Sequence, residues 1–183
     1  MGGERVAKFK VVKQEAPSLL RRVVGTLGRR GRAVDEVSTG DLDAWVAETL
    51  EDAFDLRQVD RDDDGDLFLA CGSSVVFVKQ LDPESPFLTI FAPLLEDFRM
   101  SPDVYEAVNA INVKIPLGKA TVNADDKQIV LSVDLPLVDR LSAEGLVLVV
   151  DLVGEAADHF DTLLQKRFGG STMLDDADDE IDV

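Results

Sequence analysis

The residues Asp60-Arg-Asp-Asp-Asp-Gly-Asp-Leu67 set carboxylates at positions 60, 62 and 64 ahead of Gly65. That spacing is the first half of an EF-hand calcium loop, in which alternate oxygens face the ion and a glycine makes the sharp turn. The second half does not follow. Where the loop needs a bidentate Glu the chain has Cys71, and a thiol is a poor ligand for a hard cation. Both flanks alternate apolar and polar residues as strands do, whereas an EF-hand is framed by helices. Asp64-Gly65 between two such segments signals a hairpin turn, because glycine accepts positive φ. A tight charged turn is expected here, with no specific metal.

Other reactive residues are sparse. His159 is the single histidine and lies between Asp158 and Phe160, with nothing near in sequence to complete a catalytic dyad. Cys71 ends an apolar segment without a basic neighbour, which describes a buried inert thiol. Gly25-Thr-Leu-Gly28-Arg-Arg-Gly31 has the glycines of a phosphate loop but lacks the Gly-Lys-Ser/Thr ending and a preceding strand. No catalytic residue and no cofactor is expected, and the chain reads as a binding protein, not an enzyme.

Charge narrows the partners. The 183 residues carry a net charge of −17, which argues against a nucleic-acid surface on the body. The charge is uneven: residues 1–33 hold nine Lys or Arg against two Glu, a local +7, and the remaining 150 residues hold ten basic against 34 acidic groups, a local −24. Within the basic part, Leu19, Leu20, Val23, Val24 and Leu27 recur at helical spacing between Arg21, Arg22, Arg29 and Arg30. These arginines are the candidate residues of an interacting arm, and any nucleic acid or anionic membrane would be engaged only there. One cysteine excludes an internal disulfide framework, and no apolar run approaches the roughly 18 residues of a membrane span. The expectation is a cytoplasmic protein.

Three segments follow from these patterns: a basic arm over 1–38, partly disordered or helical; an α+β domain over 39–170; and an acidic disordered tail over 171–183, where six of 13 residues are acidic. In the domain, Leu42, Val46, Leu50 and Phe54 predict a helix near 41–54. Strands are predicted at 56–60, 66–71, 74–81 and 87–92, the second and third either separate or one strand kinked at Gly72. Ser101-Pro102 starts a helix to about 114, strands over 119–124 and 128–135 form a hairpin, and Ser142 opens a long helix that Gly169-Gly170 stops. In that helix Val147, Leu148, Val150 and Leu152 add apolar surface beyond one core stripe, so its first half is either fully buried or a dimer contact.

Several short stretches, Asp64-Gly-Asp-Leu67, Gly72-Ser-Ser-Val-Val-Phe-Val78, Ile90-Phe-Ala-Pro-Leu-Leu95, Val108-Asn-Ala-Ile-Asn112, Val133-Asp-Leu-Pro136 and Leu164-Gln-Lys-Arg-Phe-Gly-Gly170, in this order and spacing, resemble the YbjN-like and type III secretion chaperone-like family, in particular its actinobacterial branch of peptide-binding chaperones. The resemblance covers about 41–171. It implies an antiparallel sheet of about five strands with helices on one face, in the order α-β-β-β-α-β-β-α, commonly as a homodimer that holds client polypeptide. The arm and the tail lie outside it.

Strand alternation then assigns the faces. Val76, Val78, Leu88, Ile90, Ala120, Val122, Ile129, Leu131 and Val133 share the face under the helices; Phe77, Lys79, Phe87, Thr89, Phe91, Thr121, Val130 and Ser132 share the other. Three phenylalanines on a partly polar face need cover, from the N-terminal helix, the arm, a second subunit or a client. Phe77, Phe87, Phe91 and Val130 are therefore the candidate peptide-binding residues, on a shallow groove or with strand addition at a sheet edge as a variant. The alternative function is a regulatory or scaffold protein whose arm docks on its acidic body.

Overall fold

A computed structural model of the protein describes residues 39–80, 85–137 and 141–174; the expected arm, with Arg21, Arg22, Arg29 and Arg30, lies outside them, as do residues 175–183 of the acidic tail. Helix α1 (Thr39–Phe54) puts Leu42, Val46 and Leu50 at i, i+4 and i+8, and these are the residues it buries. Strand β1 (Asp60–Arg61) follows, then β2 (Leu67–Cys71), β3 (Ser74–Lys79) and β4 (Phe87–Glu96). Helix α2 (Pro102–Lys114) begins with proline at its first position, where the missing N–H breaks no bond. Strands β5 (Lys119–Asn123) and β6 (Gln128–Pro136) form a hairpin. Helix α3 (Ala143–Phe168) is capped by the Ser142 hydroxyl, which accepts the Gly145 N–H at 3.0 Å.

The six strands make one antiparallel sheet in the order β1-β2-β3-β4-β6-β5. One core holds residues from α1, α2, α3 and a single face of this sheet, including Leu50, Ile90, Leu131, Val104 and Leu146, so the helices lie on one side. Gly154 lets α3 come down on the sheet: a Cβ there would stand 2.8 Å from the Cys71 sulfur.

Of the two readings of residues 66–80 the structure has the one with separate strands, and two boundaries differ from expectation for identifiable reasons. Residues 66–80 are a hairpin, not one kinked strand, because Gly72, at φ +63°, and Ser73 form a two-residue turn between the paired Cys71 and Ser74. The strand predicted at 56–60 shrinks to Asp60–Arg61. The Leu56 N–H still bonds the Glu51 carbonyl at 3.0 Å and the Val59 N–H bonds the Glu51 carboxylate at 3.2 Å, so α1 keeps these donors from a ladder. Strand β4 runs past Pro93 to Glu96 through a bulge between Pro93 and Leu95; its pairing with β3 has already ended at Phe91, and a proline is tolerated there.

Candidate functional site

The face turned away from the helices is built by register. The two-residue turn sets Phe68 opposite Phe77 and Ala70 opposite Val75; β3 and β4 then set Phe77 opposite Phe91. Because side chains alternate across a strand, Phe68, Val75, Phe77 and Phe91 emerge together. The rings of Phe77 and Phe91 stack with centroids 5.0 Å apart and planes 13° from parallel, and Phe68 meets Phe77 at 5.9 Å and 42°. Pairs of this kind are worth about 0.5–1.5 kcal/mol beyond the area they bury. Phe68, Val75 and Phe77 are buried and Phe91 is half-buried.

A polar border adjoins this apolar corner. Lys79 stands with its Nζ 5.4 Å from the centre of the Phe91 ring and bonds the Asp66 carboxylate at 2.6 Å. The Thr89 hydroxyl donates to Asp134 at 2.9 Å, and Lys119 approaches the same carboxylate at 3.3 Å. The chain itself partly covers the corner. After Gly169-Gly170, Ser171 forms an antiparallel bridge with Glu96 through two backbone bonds of 2.9 and 3.0 Å, and Met173 and Leu174 pack against the Phe68–Val75–Phe77 cluster.

The structure thus brings together two of the expected residues and separates the others. Phe77 and Phe91 stack; Phe87, four residues before Phe91 and opposite Pro136, lies beyond the Thr89–Asp134 pair and is 44% exposed. Val130 is half-buried opposite Pro93. Phe68 and Val75 also belong to the cluster: Val75 follows from alternation within β3, two residues before Phe77, whereas the face of Phe68 depends on the Gly72-Ser73 turn, and a two-residue turn read there would have placed it.

Neither sheet edge is open along its length. At β5, the Asn112 side chain of α2 accepts the Ala120 N–H at 2.6 Å and donates to the Ala120 carbonyl at 3.0 Å, occupying the position of a neighbouring strand. At the other edge β1 is two residues long, and Arg61 is held by Asp43 of α1 at 2.7 Å. Short or covered edges of this kind resist strand addition.

The residues with chemical potential serve the fold. In the aspartate-rich stretch, the Asp62 carboxylate accepts the N–H groups of Asp64 and Asp66 at 3.1 and 2.8 Å, and Asp62 N–H and the Asp66 carbonyl close the β1–β2 hairpin at 3.0 Å. Among the described residues no group of three His, Cys, Asp or Glu is arranged to hold a metal ion. Cys71 is buried, and its thiol is pushed up to about 12 by burial first and by Asp151 and Asp158 second. His159 is exposed, its ring edge against Phe160. Its neighbours carry more: the Ser73 hydroxyl stands within hydrogen-bond distance of both Asp158 and Asp161, at 2.8 and 2.9 Å, and its one proton is shared between them.

Among the described residues no helix is long and apolar enough to cross a membrane. No curated protein matches the chain. Residues 40–176 match the family described as T3SS (YopN, CesT) and YbjN peptide-binding chaperone 1, TY-Chap1; the span takes in every strand, all but the first residue of α1, and Met173 and Leu174. With most of its length inside that match, the chain belongs to this family of peptide-binding chaperones.

Proposed function

We propose that the protein acts by binding and not by catalysis, holding an apolar segment of another polypeptide on the face that carries Phe77, Phe91, Phe87 and Val130. The family supplies the class of function, a chaperone-like role toward polypeptide. The observation that carries the site is the stacked Phe77–Phe91 pair on the sheet face opposite the helices, with Phe68 beside it and Met173 and Leu174 resting on it. An aromatic corner with a charged border suits a guest whose apolar side chains enter the corner and whose polar backbone meets Lys79, Thr89 and Asp134. The guest replaces Met173 and Leu174. The face is favoured over the sheet edges because β1 is two residues long and, in β5, Asn112 already takes the N–H and carbonyl of Ala120.

A second copy, expected from the sequence, is proposed to meet the outer side of α3, where Leu148 and Leu163 are 44% and 48% exposed while Val150 is fully buried. Light scattering of Leu148→Asp reads this directly: a fall from dimer to monomer mass supports it, and an unchanged mass overturns it.

The groove is tested with reduced, carboxymethylated α-lactalbumin, a permanently unfolded probe, labelled for fluorescence anisotropy. Phe91→Ser is expected to weaken binding at least about tenfold, which corresponds to about 1.4 kcal/mol. Val113→Ser, at an exposed position of α2 outside both surfaces, leaves binding unchanged. Equal binding by the wild type and Phe91→Ser, with the unfolding transition intact, removes the groove from the function.

A further inference from the structure

Resting on that reading of the Phe77–Phe91 face, we propose that its resident occupant is residues 17–30 of the same chain, Pro17-Ser-Leu-Leu-Arg-Arg-Val-Val-Gly-Thr-Leu-Gly-Arg-Arg30, docked as a basic amphipathic helix that a client must displace.

Surface chemistry matches on both sides. Leu19, Leu20, Val23, Val24 and Leu27 cover an arc of about 140° on a helix; Arg21, Arg22 and Arg29 fall outside that arc, Arg30 follows the last apolar turn, and no acidic residue is among them. The face offers Phe91, Met173 and Leu174 around the buried Phe68 and Phe77. Directly after Leu174, where the apolar corner ends, come Asp175, Asp176, Asp178, Asp179, Glu180 and Asp182. The most acidic stretch of the chain therefore follows directly in sequence on the surface that the most basic stretch would cover, whereas Asp66 and Asp134 on the polar border are already paired with Lys79 and Lys119.

Lengths also agree. A 14-residue helix is about 21 Å long, close to the width of five strand spacings, about 24 Å. Residues 31–38, the eight that connect Arg30 to the start of α1, reach about 26–29 Å when extended, more than the about 10 Å that separates packed layers. A tether of this length holds the segment at an effective concentration near the millimolar range, so weak docking suffices to fill the face. Gly25 and Gly28 keep it weak, since each lowers helix stability by about 1 kcal/mol relative to Ala. Occupancy by the arm raises the apparent dissociation constant of any client by the reciprocal of the free fraction.

The test uses the full chain with photoreactive p-benzoylphenylalanine introduced at Phe91 and, separately, at Phe87. Irradiation is expected to give adducts to residues 17–30 of the same molecule, lost in Leu20→Asp with Val24→Asp. In anisotropy with the α-lactalbumin probe, that double variant is expected to bind about tenfold more tightly than wild type. Adducts that avoid residues 17–30, or that join only two different copies, overturn the docking. The two readings fail separately: adducts to the arm without probe binding by either chain retain the docking and remove the client, whereas Phe91-dependent probe binding without arm adducts does the reverse.

Discussion

The carboxylate of Asp158 lies directly over Gly72, so that a Cβ at position 72 would stand 2.1 Å from its Oδ1, and the same oxygen accepts the Ser73 N–H at 2.6 Å. One residue of α3 thus holds the turn that sets Phe68 of β2 on the same face as Val75 and Phe77 of β3. Gly72→Ala is expected to destabilise the protein by about 2–3 kcal/mol, combining the strain of a Cβ at positive φ with the displaced carboxylate. Asp158→Ala alone costs about 1–2 kcal/mol through the two Ser73 bonds it removes. The double variant is expected to fall well short of the sum, because the clash disappears with the carboxylate. Urea unfolding of the four proteins measures this, and strict additivity would separate the two residues.

That relationship also marks where the sequence stops being legible. The two sheet faces follow from alternation: Val76, Ile90, Ile129 and Leu131 are buried under the helices while Phe77, Phe91 and Thr121 face away, because a one-residue slip in a half-buried strand would expose the whole apolar set. The ends of α2 and α3 follow from Pro102, Ser142 and Gly169, whose effects act within one helical turn. Contacts between distant residues leave no such local trace. Ser73 and Asp158 are 85 positions apart, and Asp158 and Asp161 gain their shared partner only when α3 is laid across the β2–β3 turn. The return of Met173 and Leu174 onto the phenylalanines depends in the same way on Ser171 finding Glu96, which no periodicity encodes.

Asp151 gives the protein a pH dependence of predictable sign. The residue is 3% exposed, its Oδ1 has no hydrogen-bond partner, and its pKa is raised from 3.8 to about 6 by burial first and by the charge of Glu155 second. With the folded value above the unfolded one, the folded state holds the extra proton between about pH 4 and pH 6, so stability falls as pH rises through that window and levels above it. Asp151→Asn removes the charge that burial opposes. Chemical denaturation at about pH 4.5 and pH 7 is expected to show a smaller loss of stability on going to neutral pH in the variant than in the wild type. An undiminished pH difference in Asp151→Asn would assign the effect to other carboxylates, of which Asp161, also raised by burial, is the first to replace.

Asn112 offers the clearest separation of fold from self-association. Its amide makes both bonds that a neighbouring strand would make to Ala120, whose side chain is 3% exposed, so truncation leaves a backbone donor and acceptor unpaired at the edge of β5. Asn112→Ala is expected to cost about 2 kcal/mol, the penalty of two partly buried groups losing their partners. It also uncovers a strand edge, so a concentration-dependent rise in thioflavin fluorescence or scattering is expected in the variant and not in the wild type. Asn109→Ala, one turn earlier on the exposed side of α2, is the control and leaves both measurements unchanged. If the two variants behave alike, the edge of β5 is protected by something other than the Asn112 amide, and the preference for the aromatic face over the edge as the polypeptide site loses one of its two supports.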